Sequence, residues 1–157
     1  MTKGEAMMKK LIYVFTAALS VMAVAGVTTA VAAEFGTAAE AKAMLERAGT
    51  AVKADKAKAL AMFTKGEGGF KDRDLYPFCG GPDGNFTAHP SLVGKSLKEL
   101  KDKAGKPLGV EIYTVAQEGK IGEVSYMWPR PGSTEPVQKI TFVTKVADQV
   151  CAVGYYK

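Results

Sequence analysis

An α+β domain built on one antiparallel sheet is what this 157-residue sequence predicts. Three observations carry that expectation. Apolar residues recur at helical spacing up to Thr64, a Gly/Pro/Asp-rich hairpin signature follows between Asp74 and Lys95, and three β-rich runs close the chain from Gly122 onward. A lone hairpin is marginal in water, so the later strands must pair with it and the helices must cover it.

The N-terminus is set apart first. Lys9 and Lys10 precede an apolar run from Leu11 to about Val27, and Ala30-Val31-Ala32 and Val31-Ala32-Ala33 offer the small residues a signal peptidase reads. Residues 1–33 therefore read as a cleaved secretory signal, with an uncleaved membrane anchor as the alternative, since the run is close to the shortest that spans a bilayer. The remaining 34–157 is the size of one domain. Removing residues 1–33 takes away three lysines and one glutamate, so the formal charge of +5 becomes +3. The lysines alternate with Asp and Glu along the chain, a solvated mixed-charge surface rather than a nucleic-acid footprint.

From Thr37 to Thr64 the sequence is rich in Ala, Lys, Glu, Met and Leu. Met44, Leu45, Ala48 and Val52 share one helical face, and Leu60 and Phe63 continue the stripe beyond a polar break at Asp55-Lys56. Two helices are expected, with Asp55 as N-cap of the second and Gly66, Gly68 and Gly69 closing the region. The stripe is assigned to the core, covering one sheet face. Next comes the hairpin: an apolar run with Leu75, Tyr76 and Phe78, then Gly80-Gly-Pro-Asp-Gly84, then a second run ending at His89.

Ser96-Leu-Lys-Glu99 matches a capping box and predicts a short helix from Leu97. Lys103 to Lys106 is a turn, and Pro107 suits the first turn of a longer helix with Leu108, Ile112, Val115 and Ala116, ended by Gly119. Strands are expected at Gly122 to Trp128, Gln138 to Val146 and Gln149 to Tyr156. A rigid Pro-bounded turn separates the first two, and Ala147-Asp148 makes a tight turn between the last two.

Several short pieces, taken in order, resemble a known family. They are Tyr76-Pro-Phe78 with its Gly/Asp turn, Ala88-His-Pro90, Leu92-Val-Gly-Lys95, the Asp102 to Lys106 turn, Tyr126-Met-Trp-Pro129, Pro136-Val-Gln-Lys139 and Val153-Gly-Tyr155. Together, over residues 37–157, they resemble the single Cache domain, type 2, the extracytoplasmic sensor module of many bacterial chemoreceptors and histidine kinases. The resemblance implies a PAS-like five-stranded antiparallel sheet with a long N-terminal helix behind it and short helices between strands 2 and 3. It also implies a small-molecule pocket on the opposite face, for ligands that are typically short organic acids. A chain stopping at Lys157 resembles the stand-alone secreted members, periplasmic proteins acting through a separate membrane receptor or kinase. Phe142, where the family often has tyrosine, and Gln149-Val150, where an aromatic is common, depart from the pattern.

Against that background the chemistry-bearing residues are few. His89 is the only histidine, with no acidic or cysteine cluster at ligand spacing beside it, which argues against a metal site. Structural hydrogen bonding and ligand contact both suit it, and the resemblance favours the pocket. Tyr126 and Trp128 lie on one face of their strand, either as core or as an apolar wall with a hydrogen-bonding edge. Lys139, just after the Pro-bounded loop, is placed across from Trp128, either as a solvated edge lysine or as counter-charge to a carboxylate. Cys79 and Cys151, an even count in an exported chain, favour a disulfide, and the family's adjacent first and last strands would bring them together. No cofactor is implied. An enzyme or redox accessory using Cys79 and His89 is the alternative, without a nucleophile signature, phosphate loop or dinucleotide fingerprint to support it.

Overall fold

The computed structural model describes residues 34–157, so the expected leader, residues 1–33, lies outside the described residues. Helix α1, Ala38–Ala54, opens on a capping box: Glu40 N–H donates to Thr37 Oγ1, and Thr37 N–H to Glu40 Oε2. It buries Ala41, Met44, Leu45, Ala48 and Val52. As expected, Asp55 then caps α2, Lys56–Lys65, by accepting from Lys58 N–H at 3.0 Å. Gly66, at φ 70°, ends α2 in a left-handed conformation that glycine adopts without penalty.

Five strands form one antiparallel sheet: β1 Pro77–Gly80, β2 Phe86–Ala88, β3 Gly122–Pro129, β4 Pro136–Val146 and β5 Gln149–Tyr156, in the order β2-β1-β5-β4-β3. The first hairpin and the closing meander meet where β1 pairs with β5, placing Cys79 directly opposite Cys151. The two sulfurs are bonded. Alternation along the strands divides the side chains between two layers. Cys79, Ala88, Phe142, Cys151 and Val153 pack under α1 and α2; Phe78, Phe86, Val124, Tyr126, Val143 and Ala152 pack on the other side against α3, Leu108–Val115, and the loop before it.

That loop departs from expectation at one point. Ser96 does cap, accepting from Glu99 N–H at 3.1 Å, but only a single turn forms, closed by Leu100 N–H to Leu97 C=O. Leu97 and Lys98 N–H both donate to Gly84 C=O, and Leu100 C=O accepts from Gly109 N–H. The Leu100 carbonyl, which would accept the next helical bond, is thus committed to α3, while the first-turn donors of Leu97 and Lys98 tie the turn to the hairpin. Gly109 itself sits so close to the Leu97 carbonyl that no Cβ fits.

Both sheet edges are covered in part. Alongside β3, Met127 N–H donates to Asp102 Oδ2 (2.9 Å) and Lys103 N–H to Met127 C=O (3.1 Å), so the turn from Asp102 to Lys106 lies on the strand. Alongside β2, Phe86 exchanges backbone bonds with Gly94 and Lys95.

Candidate functional site

On the α3 side of the sheet, three cross-strand neighbours form a row: Tyr126 on β3 is opposite Lys139 on β4, which is opposite Tyr156 on β5. Lys139 therefore faces Tyr126, not Trp128, whose partner is Val137. The shift arises because β3 and β4 keep pairing out to Pro129 and Pro136, two residues beyond the expected start of β4. Lys139 is only 1 % exposed, so it is no edge lysine. The next row is Val124, Thr141 and Gly154, and a Cβ at Gly154 would lie 2.4 Å from both Lys139 Cε and Thr141 Oγ1. Glycine at 154 is thus what makes room for the lysine stem.

The ammonium of Lys139 lies 4.7 Å from the centre of the Tyr76 ring and 4.6 Å from that of Tyr156, and it donates to the Tyr76 hydroxyl at 3.4 Å. Ring faces attract a desolvated cation but do not neutralise it. Among the described residues no carboxylate comes within ion-pair distance of Lys139. Burial pulls its pKa down to about 7, with nearby Asp74 acting against that. Tyr76 is pushed up to about 12, first by burial and then by Asp74, so its hydroxyl keeps its proton.

His89 follows β2. Its Nδ1 accepts from Ser91 N–H at 3.0 Å, which leaves Nε2 as the protonated nitrogen. Its ring meets Tyr76 and Phe86 edge-on at 5.5 and 5.1 Å. Burial, reinforced by Lys139, lowers its pKa to about 4, so the imidazole is neutral at neutral pH and donates through Nε2. Tyr126 bonds Thr141 through its hydroxyl at 2.9 Å and meets Trp128 edge-on at 6.1 Å.

Tyr76, His89, Tyr126 and Trp128 line an inner cavity of about 20 Å³ beneath Leu92, Leu100 and α3, room for one water molecule. Tyr76, His89, Leu92 and Trp128 also line an outer groove of about 330 Å³, together with Lys71, Arg73 and Arg130. Lys139 lines neither; its charge reaches both through Tyr76. Three of the four expected site residues thus share a cavity, with the fourth directly behind its wall.

Sequence reasoning missed Tyr76, Tyr156, Asp74 and Arg130. Tyr156 was within reach, because a two-residue turn at Ala147-Asp148 puts it opposite Lys139 by counting alone. Phe142 and Gln149, the two departures, line neither space: Phe142 stacks on Tyr155 in the helix-side layer, and Gln149 accepts from the Thr87 hydroxyl.

A family model described as Cache domain matches residues 42–156. The chain belongs to the Cache domain family. Over 56 residues, 36% of its length, this Cache domain is 34% identical to the methyl-accepting chemotaxis protein McpP of Pseudomonas putida KT2440. The match spans 10% of that receptor's length. Among solved structures, the fold is similar to a methyl-accepting chemotaxis protein from Vibrio parahaemolyticus RIMD 2210633 (26% identity, TM-score 0.61, 75% of this chain and 86% of that one). It is similar also to the periplasmic sensor domain of a chemotaxis protein (27% identity, TM-score 0.56, 73% and 86% covered). A third likeness, in fold alone, is to a Cache chemosensory domain that recognises carboxylic acids (24% identity, TM-score 0.51, 71% and 78% covered). The five-stranded antiparallel sheet with flanking helices is the architecture the resemblance implied.

Proposed function

We propose that this Cache domain is an extracytoplasmic sensor that binds a short carboxylate and acts through a separate membrane receptor or kinase. One observation carries the reading: a buried, ring-flanked ammonium, Lys139, has no carboxylate within ion-pair distance among the described residues yet lies directly behind a cavity wall. An uncompensated buried cation is costly, and an anion from outside relieves that cost. In this reading the ligand carboxylate accepts from the Tyr76 hydroxyl and His89 Nε2, Trp128 and Tyr126 hold its alkyl part, and Lys139 supplies counter-charge through Tyr76. Because the inner cavity holds one water, the ligand enters as Leu92 and Leu100 give way. Carboxylic acid recognition by a Cache chemosensory domain of similar fold agrees with this chemistry.

The enzymatic alternative loses its pairing. Cys79 is bonded to Cys151 in the helix-side layer, whereas His89 sits among the rings of the opposite side.

The test is titration calorimetry with acetate, propionate and lactate against the protein recovered after expression of the full chain. At least one acid is expected to bind, unchanged chemically, and to raise the melting temperature. Binding also carries a pH signature. Above about pH 7 the empty protein must take up a proton on Lys139 before it presents the charge, so affinity falls by up to roughly tenfold per pH unit. The stability of the empty protein moves the other way. Between about 7 and the ordinary lysine value of 10.5 the unfolded chain holds a proton that the fold does not, so stability rises with pH in that window. Affinity independent of pH from 7 to 9 removes Lys139 from the site.

Export is the remaining part of the reading. The chain recovered from the periplasm is expected to begin at Ala33 or Glu34. Mass spectrometry decides it, since a membrane-bound product retaining Leu11 to Val27 means an anchor instead. No helix among the described residues is long and apolar enough to cross a membrane.

A further inference from the structure

The outer groove contains two arginines, and both hold the segment that leads into α1. Arg130 Nη1 donates to Asp74 Oδ2 at 3.3 Å, while the other oxygen of the same carboxylate accepts from Gly36 N–H at 2.7 Å. The Arg130 guanidinium also lies over the Phe35 ring at 4.0 Å and the Tyr156 ring at 4.7 Å. Arg73 donates to Phe35 C=O at 3.0 Å and pairs with Glu40 in the first turn of α1. Gly36 is seated so closely on Leu75 that a Cβ would lie 2.2 Å from Leu75 Cγ. The domain's entry is therefore fastened through the cations that border the groove.

Asp74 is 5 % exposed and sits in the same neighbourhood as Lys139, with the Tyr156 ring contacting both Arg130 and Lys139. Its side chain ends in the same group as acetate. We infer that Asp74 is a built-in competitor for the ligand carboxylate: Tyr76 and His89 line both the inner cavity and the groove, so a carboxylate held by them on the groove side draws Arg130 to itself, and Asp74 then releases its hold on Gly36. The inference rests on the carboxylate reading and adds its consequence. Without Arg130, the buried Asp74 carboxylate loses its charged hydrogen-bond donor and rearranges toward water, and Phe35 loses the cation above its ring. Occupancy of the groove is thereby converted into loosening of residues 35–40. No hinge within the sheet is needed, because Phe35, Gly36, Asp74 and Arg130 all lie outside the five strands.

The deciding measurement is amide hydrogen exchange followed residue by residue by NMR, with and without saturating acetate, on the protein recovered after expression of the full chain. Gly36 N–H is expected to exchange roughly tenfold faster with acetate bound, the equivalent of about 1.4 kcal/mol, while β4 and β5 amides do not speed up. In Asp74→Asn, which keeps an oxygen for Gly36 but loses the competing charge, acetate is expected to bind roughly tenfold tighter by calorimetry. If acetate binds and Gly36 exchange stays the same or slows, the inference is wrong while the carboxylate reading stands. Weaker acetate binding by a folded Asp74→Asn protein overturns it equally. Absence of any binding heat with the wild-type chain removes the carboxylate reading and this inference together. Should Asp74→Asn fail to fold, the wild-type exchange comparison decides alone.

Discussion

Replacing Lys139 with methionine is expected to weaken carboxylate binding by roughly 1.5 to 3 kcal/mol, the range for a hydrogen bond to a charged group, while leaving the fold as stable as before or more so. The two effects have one cause. Lys139 is buried, and among the described residues its only hydrogen-bond partner is the neutral Tyr76 hydroxyl. Two aromatic rings only partly offset the loss of water around it. Methionine keeps the length of the stem beside Gly154 and removes the group that desolvation penalises, so the fold does not suffer. With a ligand carboxylate present the balance inverts, because the charge that was costly becomes the attraction. Calorimetry and chemical denaturation on the same preparations separate the two. Unchanged affinity in a folded Lys139→Met protein would return Lys139 to a structural role.

Removing the Cys79–Cys151 bridge is expected to destabilise the protein by about 4 kcal/mol, the chain-entropy value for a closure of this length. The cysteines are 72 residues apart in sequence and face each other across β1 and β5 with Cα atoms 4.1 Å apart. The bond joins the hairpin to the closing meander, the contact on which the five-stranded sheet depends. A loss of this size is a large share of the roughly 5 to 15 kcal/mol that holds a domain folded. It corresponds to a fall in melting temperature on the order of 15 °C. The double variant Cys79→Ala/Cys151→Ala, compared with wild type in urea, measures it. Thiol labelling of unfolded, unreduced protein should find no free cysteine. Because the sulfurs lie in the helix-side layer, the variant is expected to keep its ligand affinity at temperatures where it is folded. A loss below about 1 kcal/mol would mean that strain in the native bridge offsets most of the entropic gain.

Local patterns made the framework readable. The spacing of Met44, Leu45, Ala48 and Val52, the cap at Asp55, the glycine at 66 and the turn at Ala147-Asp148 each state their own geometry, and the structure agrees at all of them. Ser96-Leu-Lys-Glu99 yields only one turn for a reason a local pattern cannot contain: the Leu100 carbonyl that would accept the next helical bond is claimed by Gly109 of α3. The site divides along the same line. Residue type and alternation drew attention to His89, Tyr126 and Trp128, while it was the family resemblance that favoured a pocket role over a core one. Lys139 was placed two residues off because its partner depends on how far β3 and β4 continue past Trp128, which Pro129 and Pro136 obscure. Asp74 and Arg130 are 56 residues apart, and nothing near either one announces the other. Their meeting is a property of the assembled sheet.

The turn bonded along Met127 and the loop bonded along Phe86 have a consequence for how this protein meets others. A strand at the margin of a sheet is ordinarily a template on which another chain can lay itself, whether as a partner or as the start of an aggregate. Here the Asp102 carboxylate and the Lys103 amide occupy the outward backbone groups of Met127, and Gly94 and Lys95 occupy those of Phe86. At those positions neither margin can be extended. Strand addition is therefore blocked at Met127 and Phe86, whether the added strand would come from another protein or from a growing aggregate.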